Sequence, residues 1–177
     1  MKLLLHTCCA PCFVKCGEVL EDEGIKPTLF WYNPNIHPWI EYKSRKEALA
    51  EFAKFKNLEL IIEENYGLRE FISSIYPDFS RERCKKCYQM RLEKTASYAS
   101  ENGFDAFSTT LLISPYQNHE YISELCHDLE KKYGVKFLYR DFRPYFREGQ
   151  RIAREHGLYM QKYCGCIFSE EERYLKK

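Results

Sequence analysis

The segment Lys2-Leu3-Leu4-Leu5-His6-Thr7-Cys8-Cys9-Ala10-Pro11-Cys12 decides the predicted fold, because it is typical of a short buried strand that runs directly into a helix. The three leucines favour a strand that is covered on both faces, and Pro11 suits the first turn of a helix. Nucleotide-binding α/β proteins carry a glycine-rich phosphate loop at this place. Here the loop has neither Gly-x-Gly-x-x-Gly nor Gly-Lys-Ser/Thr, and cysteines replace it.

The rest of the chain alternates between strand and helix patterns. Strands are predicted over 28–32, 58–62, 105–112 and 135–139, and helices over 11–24, 40–56, 68–75, 83–102, 122–133 and 145–156. Because helices separate the strands, the pattern favours a three-layer α/β fold with a mainly parallel sheet. Ligands of such sheets bind beyond the carboxyl ends of the strands. No linker interrupts the sequence, so we expect a single domain over 1–177.

The composition is that of an ordinary globular protein. Of its 177 residues 45% are apolar and 30% charged, which excludes a disordered chain. The formal net charge is only +1, so any site for a polyanion must be a local patch. No apolar run approaches the roughly 20 residues of a membrane span, and the short run Leu3–Leu5 lacks a following cleavage site. We therefore expect a cytoplasmic protein with no membrane partner.

Nine cysteines are the most unusual feature of the chain. In a reducing compartment, clustered cysteines indicate metal binding or redox catalysis rather than structural disulfides. They form three groups: Cys8, Cys9 and Cys12; Cys84 and Cys87; Cys164 and Cys166. Groups from such distant segments suggest convergence on one site. The remaining two, Cys16 and Cys126, lie on the apolar faces of predicted helices and are expected in the core.

The chemistry of the cysteine groups leaves more than one interpretation open. Four thiolates suit either zinc or an iron–sulfur cluster, and the wide separation of the groups disfavours a zinc ribbon, so we favour iron–sulfur. Cys9-Ala-Pro-Cys12 could instead be the Cys-x-x-Cys of a thioredoxin-like thiol oxidoreductase. A structural zinc-binding module is the third interpretation. The role of Cys12 differs among them.

Five motifs, taken in order, resemble the QueH family of epoxyqueuosine reductases over nearly the whole chain. They are Leu5-His6-Thr7-Cys8-Cys9-Ala10-Pro11-Cys12, Tyr32-Asn33-Pro34-Asn35-Ile36, Glu82-Arg83-Cys84-x-x-Cys87, Thr109-Thr110-Leu111-Leu112-Ile113-Ser114-Pro115-Tyr116 and Gly157-Leu158-Tyr159-x-Gln161-x-Tyr163-Cys164-Gly165-Cys166. The resemblance implies a two-electron reduction of epoxyqueuosine to queuosine at the wobble position of tRNA, in queuosine biosynthesis. It also implies a HUP-like (adenine nucleotide alpha hydrolase-like) fold without the phosphate loop, and an electron donor that the sequence does not identify.

The resemblance also implies roles for the cysteines. Cys8, Cys9, Cys84 and Cys87 would ligate a [4Fe–4S] cluster, and Cys164 with Cys166 would form a redox-active disulfide. An additional iron would share cluster cysteines with an aspartate, for which Asp141 is the first choice and Asp105 the second. The proton donor is sought among His6, Tyr163 and His119. The loop over 32–35, just beyond the second strand, is a further candidate for the substrate pocket.

A basic stripe is the candidate surface for tRNA. Arg143, Arg147, Arg151 and Arg154 recur at helical spacing, and nearby aromatic residues could stack an unpaired base. The alternative is a solvated helix face on which these arginines pair with Glu148 and Glu155.

Overall fold

The structure is a computed structural model that describes residues 1–175. Its centre is a sheet of five parallel strands, and the five pair in the order β3-β2-β1-β4-β5. The strands are β1 (Leu3–His6), β2 (Thr28–Trp31), β3 (Leu60–Ile62), β4 (Ala106–Thr109) and β5 (Lys136–Phe137). The prediction of a mainly parallel α/β fold is confirmed.

Residues 1–175 form seven α-helices around this sheet. They are α1 (Ala10–Asp22), α2 (Trp39–Phe55), α3 (Leu68–Ile75), α4 (Arg83–Glu101), α5 (His119–Tyr133), α6 (Phe146–Glu155) and α7 (Ile167–Tyr174). Helix α1 packs against α2 and α6, whereas α4 packs against α3 and α5. The two groups form the outer layers of the predicted three-layer arrangement.

Strand β1 is the middle strand, and its leucines explain why. Leu3, Leu4 and Leu5 are fully buried, with helices on both sides of the sheet. Burial of one leucine side chain contributes roughly 1.5–3 kcal/mol, so this strand supplies a large part of the core's stability. Its register pairs Leu5 with Leu29 of β2 and with Ser108 of β4.

The ends of several elements differ from the predicted ends. Strand β4 stops at Thr109, because the Thr109 hydroxyl accepts a hydrogen bond from the Leu111 amide at 3.1 Å and starts a 3-10 turn over Thr110–Ile113. Helix α6 is preceded by another 3-10 turn over Arg143–Tyr145, so Arg143 is not on the helix. Helix α7 was not predicted. It starts after Cys166, whose sulfur accepts from the Ser169 amide.

The strand order fixes where a ligand can bind. Strand β1 pairs with β2 on one side and with β4 on the other. The strand order therefore reverses direction between β1 and β4, which makes a topological switch point there. The loop with Cys8 follows β1, and the turn at Thr110 follows β4. Among residues 1–175, no helix combines the length and the apolar character that a membrane crossing requires.

Candidate active site

Three cysteine sulfurs meet at the carboxyl end of β1. The Sγ atoms of Cys8, Cys9 and Cys12 all lie within 4.8 Å of one another, and all three side chains are at most 9% exposed. Cys9 is the N-cap of α1, and its sulfur accepts a hydrogen bond from the Cys12 amide at 3.4 Å. Pro11 lies in the first turn, as the sequence predicts. The start of the helix therefore brings the three sulfurs together.

The three thiols share a strongly perturbed proton affinity. Hydrogen bonds from Cys12 and then Cys9 hold the pKa of the Cys8 thiol well below its usual value. Burial raises the pKa of Cys9, and the hydrogen bond to Cys8 raises that of Cys12. The first thiolate of the group thus forms easily, and its negative charge opposes the ionisation of a second thiol. A cationic group in their midst would favour the remaining thiolates.

The side chain of Gln161 closes over this cysteine group. Its Nε2 donates to Cys9 Sγ at 2.9 Å and approaches Cys12 Sγ at 3.6 Å. Its Oε1 is buried and has no hydrogen-bond partner among the described residues. We did not predict this role, although Gln161 lies within the last of the five motifs.

His6 supports the loop and is not a free acid. Its Nδ1 is 2.9 Å from Thr109 Oγ1 and its Nε2 is 3.2 Å from Asn33 Oδ1. Burial lowers the pKa of His6 to about 4. Asn33 also donates to the Thr7 carbonyl at 3.0 Å, so the loop after β2 holds the cysteine loop in place. Both ring nitrogens are engaged, and the interpretation of His6 as a packing residue fits better than that of a proton donor.

Cys84 and Cys87 form a second group in the first turns of α4. Burial raises the pKa of Cys87 to about 12 and also raises that of Cys84. These two cysteines and the terminal pair, Cys164 and Cys166, line one cavity of about 270 Å³. A second cleft of about 530 Å³ is lined by Cys8 and Cys12, and again by Cys164. The three cysteine groups therefore border two adjoining cavities that share Cys164.

A buried arginine lies between the cysteine groups. Arg91 is 2% exposed, donates to Cys87 Sγ at 3.2 Å, and lines both cavities. The negative charge available to it comes from Cys87, Cys164 and Cys8 rather than from a carboxylate. A buried cation without a counter-charge is unstable, so this position favours thiolates around it. Sequence reasoning did not single out Arg91 as a partner of the cysteines. Its spacing of four residues after Cys87 was the available signal.

The terminal cysteine pair lies on a segment, Tyr159–Cys166, that we call the strap. Arg45 is buried, forms an ion pair with Glu41, and donates to the Tyr163 and Cys164 carbonyls, each at 2.9 Å. The His37 amide donates to the Gly165 carbonyl at 2.8 Å. The backbone of the strap is thus held by α2 and the loop before it, while the Cys164 sulfur accepts from Gln117 Nε2 at 3.4 Å.

Gly165 is required where the strap meets this loop. Its φ of +146° is rarely adopted by other residues, and a Cβ there would lie 3.2 Å from Ile36 and 3.4 Å from Arg45. Cys164 is exposed and Cys166 is buried, and both are free thiols in this structure.

The two aspartates expected beside the cysteines each have another hydrogen-bond partner. Asp141 accepts hydrogen bonds from Arg143 at 2.8 and 2.7 Å, which lower the pKa of its carboxyl to about 2. Asp105 precedes β4, at the opposite end of the sheet, and accepts from the Lys2 amide. The close group of possible ligands within residues 1–175 contains the Cys12 sulfur instead of either carboxylate.

The predicted basic stripe is only partly free to bind phosphates. Arg143 is paired with Asp141, and Arg151 forms an ion pair with Glu155 at 2.6 Å. Arg147 and Arg154 are exposed on α6. None of the four lines the cleft that holds Cys8 and Cys12, whereas Phe146 and Gln150 of the same helix do. Phe142, an aromatic residue next to the stripe, is buried in the core and cannot stack a base.

Comparisons with known proteins agree with the architecture and the motifs. The profile of the family described as "Epoxyqueuosine reductase QueH" matches residues 3–172. Proteins of that name from Dehalococcoides mccartyi and Thermotoga maritima are 39% and 38% identical, covering 99% and 97% of this chain and 96% and 91% of their own lengths.

Among solved structures, a predicted subunit of tRNA methyltransferase from Methanocaldococcus jannaschii superimposes with a TM-score of 0.50. It is 14% identical over 89% of this chain and 90% of that one, a likeness that extends to the fold alone.

Proposed function

Because this chain belongs to the QueH family of epoxyqueuosine reductases, we propose that it reduces epoxyqueuosine to queuosine at the wobble position of tRNA by using thiolate-bound iron. The observation that carries the proposal is the meeting of three distant cysteine groups around two adjoining cavities at the switch point of the sheet. The thioredoxin-like interpretation does not explain why all three groups meet there.

The donor set of the site fits an iron–sulfur cluster. The available ligands are sulfur atoms, and soft thiolates select iron–sulfur clusters over hard cations. We propose Cys8, Cys9, Cys84 and Cys87 as the ligands of a [4Fe–4S] cluster. Cys12 lies within reach of Cys8 and Cys9, so we propose it in place of Asp141 as the third ligand of an additional iron. When bound, these groups supply single electrons and a Lewis acid for the epoxide oxygen.

The chain's own charges prepare the site for such an anionic assembly. Arg91 and Arg45 are buried cations that lie close to the cysteines, and Arg91 contacts Cys87 directly. Their charge offsets the repulsion among several thiolates in a small volume. Gln161 donates its amide hydrogens to Cys9 and Cys12, which orients both sulfurs.

The terminal cysteine pair suits the supply of reducing equivalents. Conversion of an epoxide to an alkene breaks both C–O bonds and consumes two electrons and two protons, with the oxygen leaving as water. Oxidation of Cys164 and Cys166 from two thiols to one disulfide releases the same two electrons and two protons. Cys164 borders both cavities, and the exposed face of the pair is accessible to an external electron donor.

Tyr163 remains the proton-donor candidate that lies at the site. It lines the cleft, and burial raises the pKa of its phenol, so the group keeps its proton near neutral pH. Its hydroxyl donates to the His37 carbonyl. His119 instead bonds with Tyr139 at 3.0 Å and is not among the residues that line the cleft.

The thioredoxin-like interpretation is disfavoured by burial. Cys9 is 1% exposed and Cys12 is 8% exposed, whereas a thiol that attacks protein disulfides must be accessible. No observation in residues 1–175 favours this interpretation or the zinc-binding module over the reductase.

An activity assay with matched cysteine variants tests the proposal. The chain purified without oxygen, supplied with a strong reductant, should convert epoxyqueuosine in tRNA to queuosine, as measured by mass spectrometry of the nucleosides. Cys8→Ala should abolish conversion. Cys16→Ala, which changes a fully buried cysteine of the helix that follows, should retain it. Equal loss in both variants, or no conversion by the unaltered chain, would contradict the proposal.

A further inference from the structure

One exposed aromatic residue at the edge of the cysteine cleft has no role in the chemistry described so far. Tyr116 is 84% exposed, the most exposed of the large hydrophobic side chains in residues 1–175, and it borders both cavities. Its ring meets the Phe146 ring edge-on, with the centroids 5.8 Å apart. The Tyr116 ring therefore packs against Phe146 while most of its surface faces solvent.

The turn that carries Tyr116 is held firmly. The Tyr116 and Gln117 amides donate to Ser114, and the Asn118 amide donates to the Tyr88 hydroxyl at 3.3 Å. That hydroxyl in turn donates to Gln117 Oε1 at 2.7 Å. A preorganised aromatic platform loses little entropy on binding, which favours it as a contact for a flat ligand.

The walls of the same cleft are positively charged. The lining residues include five cationic side chains, Arg45, Arg81, Arg91, Lys162 and Arg173, and one carboxylate, Glu172. Lys162 and Arg173 are exposed at its mouth and form no ion pair within the described part of the chain. The near-neutral chain thus concentrates positive charge where the cysteines open to solvent, which complements a phosphate backbone.

The size of the cleft suits one extruded nucleoside. Its volume of about 530 Å³ falls within the roughly 300–1,000 Å³ of small-molecule sites. Enzymes that act on a base take it out of the stack, and exposed aromatic side chains stack the neighbouring unpaired bases.

We propose that Tyr116 stacks on an anticodon-loop base as the wobble nucleotide enters the cysteine cleft, with neighbouring phosphates on Lys162 and Arg173. This placement rests on the proposed function, since it assumes the RNA substrate. It moves the RNA contact from the outer arginines of α6 to the mouth of the cleft. Arg147 and Arg154 then form a solvated helix face, the alternative considered from sequence.

Fluorescence anisotropy with a labelled RNA hairpin that carries epoxyqueuosine at the wobble position tests the role of Tyr116. Tyr116→Ala should weaken binding by roughly ten-fold or more, the effect of removing one aromatic stacking partner. Tyr116→Phe should bind like the unaltered chain. Tyr76→Ala removes another exposed tyrosine, 71% exposed and not among the cleft residues, and should have no effect.

Paired charge variants test the position of the backbone. The double variant Lys162→Gln with Arg173→Gln should bind the hairpin more weakly. The slope of the logarithm of its affinity against the logarithm of the salt concentration should become shallower by about one to two. Arg147→Gln with Arg154→Gln removes the same charge from α6 and should change neither. Unchanged binding by Tyr116→Ala, or loss confined to the α6 pair, would overturn the placement. Failure of the unaltered chain to bind the hairpin would overturn the RNA substrate itself.

Discussion

Cys9 has two structural roles at once, as the cap of α1 and as one of three buried sulfurs. Its sulfur accepts hydrogen bonds from the Cys12 amide and from the Gln161 side chain. A helix N-terminus stabilises negative charge, so the place where nucleotide-binding α/β proteins hold phosphate carries thiols here.

Cys12 is the residue whose proposed role depends most on the structure. We expect Cys12→Ala to lose the additional iron and keep the four sulfides of the cluster, because its sulfur contacts Cys8 and Cys9 and lies outside the proposed cluster ligands. The iron-to-sulfide ratio of protein purified without oxygen measures this. Cys16→Ala on the same helix is the control. If Cys12→Ala keeps the ratio of the unaltered protein, Cys12 is not an iron ligand.

At the scale of elements, the strap is held by its backbone, and in the proposed function its two cysteines carry the redox chemistry. We therefore expect Cys164→Ser and Cys166→Ser to keep the absorption spectrum of the cluster while turnover falls, because serine cannot form a disulfide. Serine at position 166 also remains a good N-cap for α7. A strong artificial reductant should restore part of the activity.

Two results would contradict this role of the strap. Loss of iron in either serine variant would place the pair among the metal ligands. Full activity with the natural donor would show that no disulfide is needed.

The loop that supports the strap should be sensitive to acid through His37. This side chain is fully buried, donates through Nε2 to the Pro34 carbonyl at 2.9 Å, and has its pKa lowered by burial to about 4. The unfolded chain takes up its proton near pH 6.5 and the folded chain only near pH 4. As the pH is lowered from about 6.5 to about 4, the free energy of unfolding should therefore decrease, by up to about 3 kcal/mol from this group.

Denaturant unfolding across this pH range measures the effect of His37. His37→Gln removes the titrating group and should flatten the pH dependence relative to the unaltered chain. An identical pH dependence in both proteins would show that His37 does not contribute.

For the molecule as a whole, sequence patterns predicted the sheet better than the site. The buried leucines of β1 and the regular alternation of helices were enough to predict parallel strands and the edge where ligands bind. The grouping of the cysteines was equally visible. Arg45 and Gln161 were not assigned roles, because their partners are carbonyls and thiols distant in sequence. Arg91 was not assigned as a partner of the cysteines, although Cys87 lies only four residues before it.

The role of iron ligand first assigned to Asp141 stays a prediction. Asp141 follows the last strand, which suggested that it faces the site, and in this structure its neighbour Arg143 binds its carboxylate. Local ion pairs of this kind depend on side-chain conformation, which spacing alone does not determine. The terminal helix was missed for a related reason, since its N-cap is a cysteine rather than one of the usual capping residues.

The central claim is that distant cysteines hold one iron–sulfur cluster, and a count of iron and acid-labile sulfide per chain tests it most directly. Protein purified without oxygen should be brown, with about four sulfides. Cys87→Ala should lose iron and sulfide together, whereas Cys126→Ala, in the core of α5, should keep both at a stability cost of roughly 1 kcal/mol. A colourless zinc protein, or a complete cluster in Cys87→Ala, would contradict the account.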